Sequence, residues 1–226
     1  MAITVNGQDI STFGAKLIDY TVGGIPYTDN FVKPPKHAFP IGFAGTDGLR
    51  EITLSMDFVS TSAAAAEANV SNFVAECMSG CELLLPDGFY YTCVFGSAEA
   101  SKHVAPWINQ IAVKMKGVRH GEKVTSSTIS AAGTLVVSGN RPTPAKVTVS
   151  GVTDGASITI NGTEIEFTDI TGIVIIDGIN CTVTSSGINV FANTNLTAFP
   201  VLNAGNNSID MTSGVSVTFE YYPLYV

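Results

Sequence analysis

Charge is scarce in this chain. Of its 226 residues only 13% are Asp, Glu, Lys or Arg, and it carries one Trp, three His and four Cys. So little charge beside 45% hydrophobic residues excludes a disordered polymer. What charge there is leans acidic, 19 carboxylates against 11 Lys and Arg for a net of −8, which repels phosphate and argues against DNA or RNA binding. Passage of DNA through an acidic lumen without adhesion stays allowed. No apolar run approaches the roughly 20 residues of a membrane helix. The opening Met1-Ala-Ile-Thr-Val has neither the basic region nor the apolar run of a secretory signal. The expected setting is a cytoplasm, with no membrane partner.

Motifs for chemistry are missing too. No G-x-S-x-G elbow, phosphate-loop lysine, H-E-x-x-H or EF-hand loop occurs. His37, His103 and His120 are far apart, and none stands beside a nucleophile. Cys77 and Cys81 are four apart on an expected helix, not the spacing of a metal knuckle. Cys93 and Cys181 alternate with apolar neighbours, so all four thiols are expected to be buried or inert. Trp107 opens an alternating strand with lysines on its other face and is expected in the core. The chain reads as no enzyme, with no cofactor or metal.

Glycine and proline, 22 and 10 residues, mark many turns. Asn161-Gly162 is the strongest of these, since a type I′ hairpin turn needs positive φ at both central residues. Closing on that pair sets Ile160 opposite Thr163, Ile158 opposite Ile165 and Ala156 opposite Phe167, with Glu164 and Glu166 on the other face. A one-residue slip would bury both glutamates, so the register is specified. Asp177-Gly178 predicts a second hairpin, pairing Ile176 with Ile179 and Val174 with Cys181, which gives Cys181 a core position. Val215, Val217, Phe219 and Tyr221 alternate with polar residues in a closing strand.

The two halves differ. Residues 1–125 hold a net charge of −3 and residues 126–226 a net of −5. In the first half, Ile52, Leu54, Met56 and Phe58 alternate as a half-buried strand. Four alanines and the spacing of Ala66, Val70, Phe73, Val74 and Cys77 predict one helix over 63–78, stopped by Gly80. Residues 21–48, with Pro26, Pro34, Pro35 and Pro40, read as an extended, irregular arm. The fold class is mainly β: a β domain with one helix over 1–125, then a β-sandwich over 126–226.

One ordered set of phrases is more specific. Pro142-x-Pro144-Ala-Lys-Val-Thr-Val is followed by Ile158-Thr-Ile-Asn-Gly, Ile176-Asp-Gly178, Phe199-Pro-Val-Leu-Asn-Ala-Gly-Asn-Asn-Ser-Ile209 and Val217-Thr-Phe-Glu-Tyr-Tyr-Pro223. Upstream stand Asn6-Gly-Gln-Asp-Ile-Ser11, Arg50-Glu-Ile-Thr-Leu and the run from Tyr90 to Gly96. This order resembles the distal tail (Dit) proteins of siphophages and prophages. The resemblance implies a galectin-like C-terminal sandwich and an N-terminal β-barrel-like domain that forms a ring, usually a hexamer. Such a ring joins the tail tube to the tail-associated hub and receptor-binding proteins and leaves a channel for DNA in the virion tail tip. The aromatic residues of the arm, Tyr27, Phe31, Phe39 and Phe43, are then candidate subunit-interface anchors. Two alternatives stand beside this reading: a carbohydrate-binding module acting in host adsorption, and another tail tube or tube-terminator subunit.

Overall fold

The computed structural model describes residues 3–32, 41–99, 102–105 and 107–226, with the backbone path alone for 28–32 and 41–46. The chain is mainly β with one α-helix, and it divides into two compact units, Met1–Arg119 and His120–Val226. Val124–Thr125, counted with the first half in the sequence, pairs with the closing strand Ser216–Tyr221 of the second unit.

The main sheet of the first unit runs Gln8–Asp9, Thr4–Val5, Cys81–Leu84, Tyr90–Ala98, Ile108–His120, Arg50–Val59, Ala15–Val22. Strand alternation sends Ile52, Leu54, Met56 and Phe58 to one face, and all four are fully buried. Ile111, Val113 and Met115 join them from the neighbouring strand, in register with Met56, Leu54 and Ile52.

The helix Ala63–Met78 covers this face with Ala66, Val70, Phe73 and Cys77. Ser62 caps its start, the hydroxyl accepting from the Ala65 N–H at 3.2 Å. Its end turns at Gly80, at φ +87°, with the Gly80 N–H bonded to the Cys77 carbonyl. Phe73 meets Phe13 and Phe58 edge to face, each at 5.6 Å between ring centres.

The second unit is a two-sheet sandwich. One sheet runs Val124–Thr125, Ser216–Tyr221, Thr143–Val152, Gly172–Asp177, Thr182–Ser185, Ile188–Asn189. The other runs Gly133–Val137, Gly205–Met211, Ser157–Ile160, Thr163–Glu166. Val147, Val149, Val174, Ile176, Val217 and Phe219 of the first sheet share one core with Ile158, Ile165, Phe167 and Ile209 of the second unit. The Asn161-Gly162 hairpin forms as the sequence predicts: φ is 51° and 82° at the turn, and Ile160 pairs with Thr163 and Ile158 with Ile165.

Three sequence expectations are corrected. The Asp177-Gly178 hairpin does not turn on two residues: Ile176 pairs with Val183 and Asp177 with Thr182. The Asp177 carboxylate accepts from the N–H groups of Ile179 and Asn180, at 2.9 and 3.0 Å, and from the Asn180 side chain. These bonds widen the turn, so Ile179 and Cys181 are exposed. Gly178 stays flat against the sandwich, where a Cβ would stand 2.8 Å from the Ala145 carbonyl oxygen.

The second correction is Trp107, which is half exposed. Trp107 precedes the strand Ile108–His120, whose helix-facing row of Asn109, Ile111, Val113 and Met115 begins at Asn109. Its amide donates to Glu67 of the helix. The third concerns the arm: its described residues form a two-stranded ribbon, Tyr27–Val32 paired with Ile41–Asp47, with a register shift between Thr28 and Asn30. No proline falls inside either strand.

Candidate assembly surfaces

The first unit leaves one face of its sheet without a helix. Glu51, Thr53, Ser55 and Asp57 project there from one strand, and Gln110, Ala112, Lys114 and Lys116 from the strand registered against it. Each lysine of this face meets a carboxylate, while Asp57 meets a neutral amide. Lys116 lies opposite Glu51 with 4.0 Å between the charged atoms, Lys114 reaches Glu99 at 2.6 Å, and the Gln110 amide donates to Asp57 at 3.2 Å. Glu99 holds the Lys114 ammonium above its ordinary pKa by a hydrogen bond and by its charge. Small hydroxyls and closed ion pairs make this a wetted wall with little net attraction for an anion or a cation.

The ribbon is a second surface. It forms its own two-stranded sheet, with Phe31 opposite Gly42 and Asn30 opposite Phe43. Tyr27 at its base is more than half exposed, and Phe39 lies outside the described residues. The backbone path places Tyr27, Phe31 and Phe43 on one ribbon.

The ribbon base is held by contacts distant in the chain. Arg50 is buried there and its guanidinium donates to the Gly23 carbonyl at 2.8 Å. Gly23 and Glu51 close the base by a backbone bond of 2.8 Å, and Gly48 and Pro26 by one of 2.7 Å. The other terminal strand of this unit, Ala15–Val22, presents Ile18 at 48% exposure along an edge that no described strand pairs.

Three thiols of the first unit lie under the helix. Cys77 belongs to the helix, Cys81 and Cys93 face each other across paired strands, and Cys81 Sγ stands 3.7 Å from the Met115 sulfur. Hydrogen bonding to Cys81 and burial push Cys77 and Cys93 above the ordinary thiol range. Among the described residues no cluster of His, Cys, Asp or Glu has the arrangement of a metal site. His103 is exposed, His120 is buried against Tyr222 with ring centres 4.9 Å apart, and His37 lies outside the described residues.

In the second unit the residue that organises the surface is Asn207, fully buried. Its carbonyl oxygen accepts from the Asn161 amide and from the Asn203 N–H, both at 2.7 Å. Its own amide donates to the Asn203 and Gly205 carbonyls at 2.8 and 3.1 Å. One side chain thus ties the hairpin turn to the loop before Gly205–Met211. Asn207 belongs to the phrase Phe199–Ile209, which in sequence reads only as a turn.

No family model matches the sequence, and no curated protein does. Solved structures do match in fold. The Dit protein of SPP1, described as a paradigm of the hub adsorption apparatus in phages infecting Gram-positive hosts, matches with a TM-score of 0.75 at 11% identity, over 99% of each chain. A chain of the phage P2 baseplate in its activated, Ca-bound conformation matches with a TM-score of 0.60 at 9% identity, over 96% of this chain and 92% of that one. The Sr-bound baseplate gives 0.57 at 9% identity, over 95% and 92%. Over both units the chain therefore has a Dit-like fold.

Proposed function

We propose that this chain is a structural distal tail protein of a long, non-contractile-tailed phage. It acts by matching surfaces, to copies of itself and to other tail parts, and makes or breaks no covalent bond. The observation that carries this is the fold likeness to the SPP1 hub protein over 99% of each chain, since it includes the second unit as well as the first. In this reading the first units close into a ring, a hexamer, between the tail tube above and the tail-associated hub and receptor-binding proteins below.

Three features support that use of the first unit. The helix covers one face of the sheet, and the other is polar with both its lysines paired to carboxylates, which suits a channel wall past which DNA slides without sticking. The edge Ala15–Val22 is long and unpaired, as a strand awaiting a neighbour is. The ribbon Tyr27–Asp47 has no partner sheet of its own, and an isolated two-stranded ribbon is marginal in water, so a neighbouring copy would complete it. Tyr27, Phe31, Phe39 and Phe43 are the anchors assigned to that contact.

The test is location in the particle. Gold-labelled antibody against the second unit is expected at the tail tip of intact virions. A particle whose protein content lacks the chain, or label confined to the capsid, would sink the reading. Deletion of residues 25–45 tests the ribbon separately: a ring of unchanged size would show that it is not the staple.

A further inference from the structure

We infer that the edge of the second unit beside Thr163–Glu166 is a docking strip for a basic, extended segment of another tail protein. This deepens the hub reading and rests on it for the identity of the partner. Thr163–Glu166 is the terminal strand of its sheet. Part of that edge is already occupied by the chain itself. The Glu166 N–H donates to the Asn195 side chain at 2.9 Å, the Asn195 N–H returns to the Glu166 carbonyl, and the Thr168 N–H donates to the Asn193 carbonyl. The chain then leaves the edge, and Leu196 is buried.

Glu164 is the next position whose backbone groups point outward. In a two-residue hairpin Ile160 and Thr163 exchange bonds, as do Ile158 and Ile165, so the N–H and carbonyl of Glu164 face away from the sheet. Among the described residues nothing pairs with them. A short strand laid here would continue the pairing that residues 193–195 begin.

The alternation of such a strand meets two different surfaces. On the inner side a pocket of about 210 Å³ opens beside the edge, lined by Ile160, Ile165, Phe199 and Val201 with Asn161 and Asn203 at its rim. That is below the roughly 300 Å³ at which drug-sized ligand sites begin, and it suits one apolar side chain. Asn207 holds both rim asparagines in place, so the pocket is formed in advance. On the outer side stand Glu164, Glu166 and, one strand further along the row Glu164–Thr159–Asp210, a third carboxylate. Among the described residues none of the three forms an ion pair, while Lys123 and Lys146 of this unit are both engaged with Glu220. The complement is an extended segment with an apolar residue facing in and lysine or arginine facing out on either side of it.

The test uses the full chain, labelled with ¹⁵N, and two capped pentapeptides, Lys-Val-Lys-Phe-Lys and Glu-Val-Glu-Phe-Glu. The basic peptide is expected to shift amides of 163–166 and 198–203 saturably, and the acidic one is not. Glu164→Pro removes the outward N–H at an edge position that tolerates proline and is expected to abolish the shifts, whereas Glu164→Gln keeps it and weakens binding by about tenfold or less. Val201→Lys, at an exposed pocket position, gives a second block should the proline variant fail to fold. Equal response to both peptides, shifts mapping elsewhere, or undiminished binding by a folded Glu164→Pro or Val201→Lys protein overturns the inference. Absence of peptide binding by the unmodified chain, in a protein that still forms the tail-tip ring, would sink this inference alone and leave the hub reading standing.

Discussion

The two units cover their sheets by different means. In the second, one sheet lies on another, and the core from Leu135 to Tyr221 is closed by its own strands. In the first, a single helix covers one face, and the opposite face, the Ala15–Val22 edge and the ribbon are left to solvent or to a neighbour. Both units pair long charged side chains, Lys114 with Glu99 in the first and Lys123 with Glu220 in the second, and the second fixes its longer loops with Asp177, Asn195 and Asn207. A closed sandwich is complete as one copy, whereas a one-sided sheet with a bare ribbon gains most from assembly.

The largest effects that sharpen this contrast lie in the two cores. Phe219→Ala and Phe73→Ala each empty a fully buried ring site, with an expected cost of about 3–5 kcal/mol in the unit that holds it. Hydrogen exchange resolved by residue checks that each loss is confined to its own unit. Next is Asn207→Leu, which strands the Asn161 and Asn203 donors and is expected to cost about 1–3 kcal/mol, with faster exchange at those two positions. Wild-type exchange there would break the claim that short amides organise the second unit. Gly178→Ala forces a Cβ toward the Ala145 and Pro200 carbonyls and is expected to cost about 1–3 kcal/mol in urea denaturation.

Thiol labelling separates the units without mutation. Cys181 alone is expected to react in the folded protein, and Cys77, Cys81 and Cys93 only after unfolding. Rapid labelling of all four would show that the helix does not stay closed over its sheet.

The smallest effect is in acid. Burial opposes ionisation of Asp177, yet the Asn180 side chain, the Asn180 and Ile179 N–H groups and Lys146 together hold its pKa below the ordinary value of 3.8. Glu220 is lowered below 4.5, first by its hydrogen bond to Lys123. Lowered folded values mean that this stabilisation is complete above the unfolded pKa and is lost as pH falls through the folded one. The second unit should therefore weaken slightly below about pH 4, and Asp177→Asn should reduce that slope.

Much of this was legible in the sequence where one local signal agreed with the strand or helix period. The Asn161-Gly162 hairpin, the strand around Leu54 and the helix from Ala63 to Met78 are cases where turn chemistry, alternation and capping point the same way. Legibility failed where a side chain captured backbone or a strand began later than its apolar pattern. Asp177 bonding to Ile179 and Asn180 moved Cys181 from core to surface, and Trp107 falls just before the strand whose helix-facing row starts at Asn109. The surfaces were less visible still. Arg50 at the ribbon base and Asn207 beneath the pocket act through partners 27 and 46 positions away in the chain, which no local pattern marks.

Mass photometry of the purified chain across a range of concentrations, with negative-stain imaging of the largest species, tests the central claim most directly. The account predicts a six-fold annulus with an open centre, formed by the chain alone or on addition of tail tube protein. A monomer at every concentration, with and without the tube protein, would contradict it.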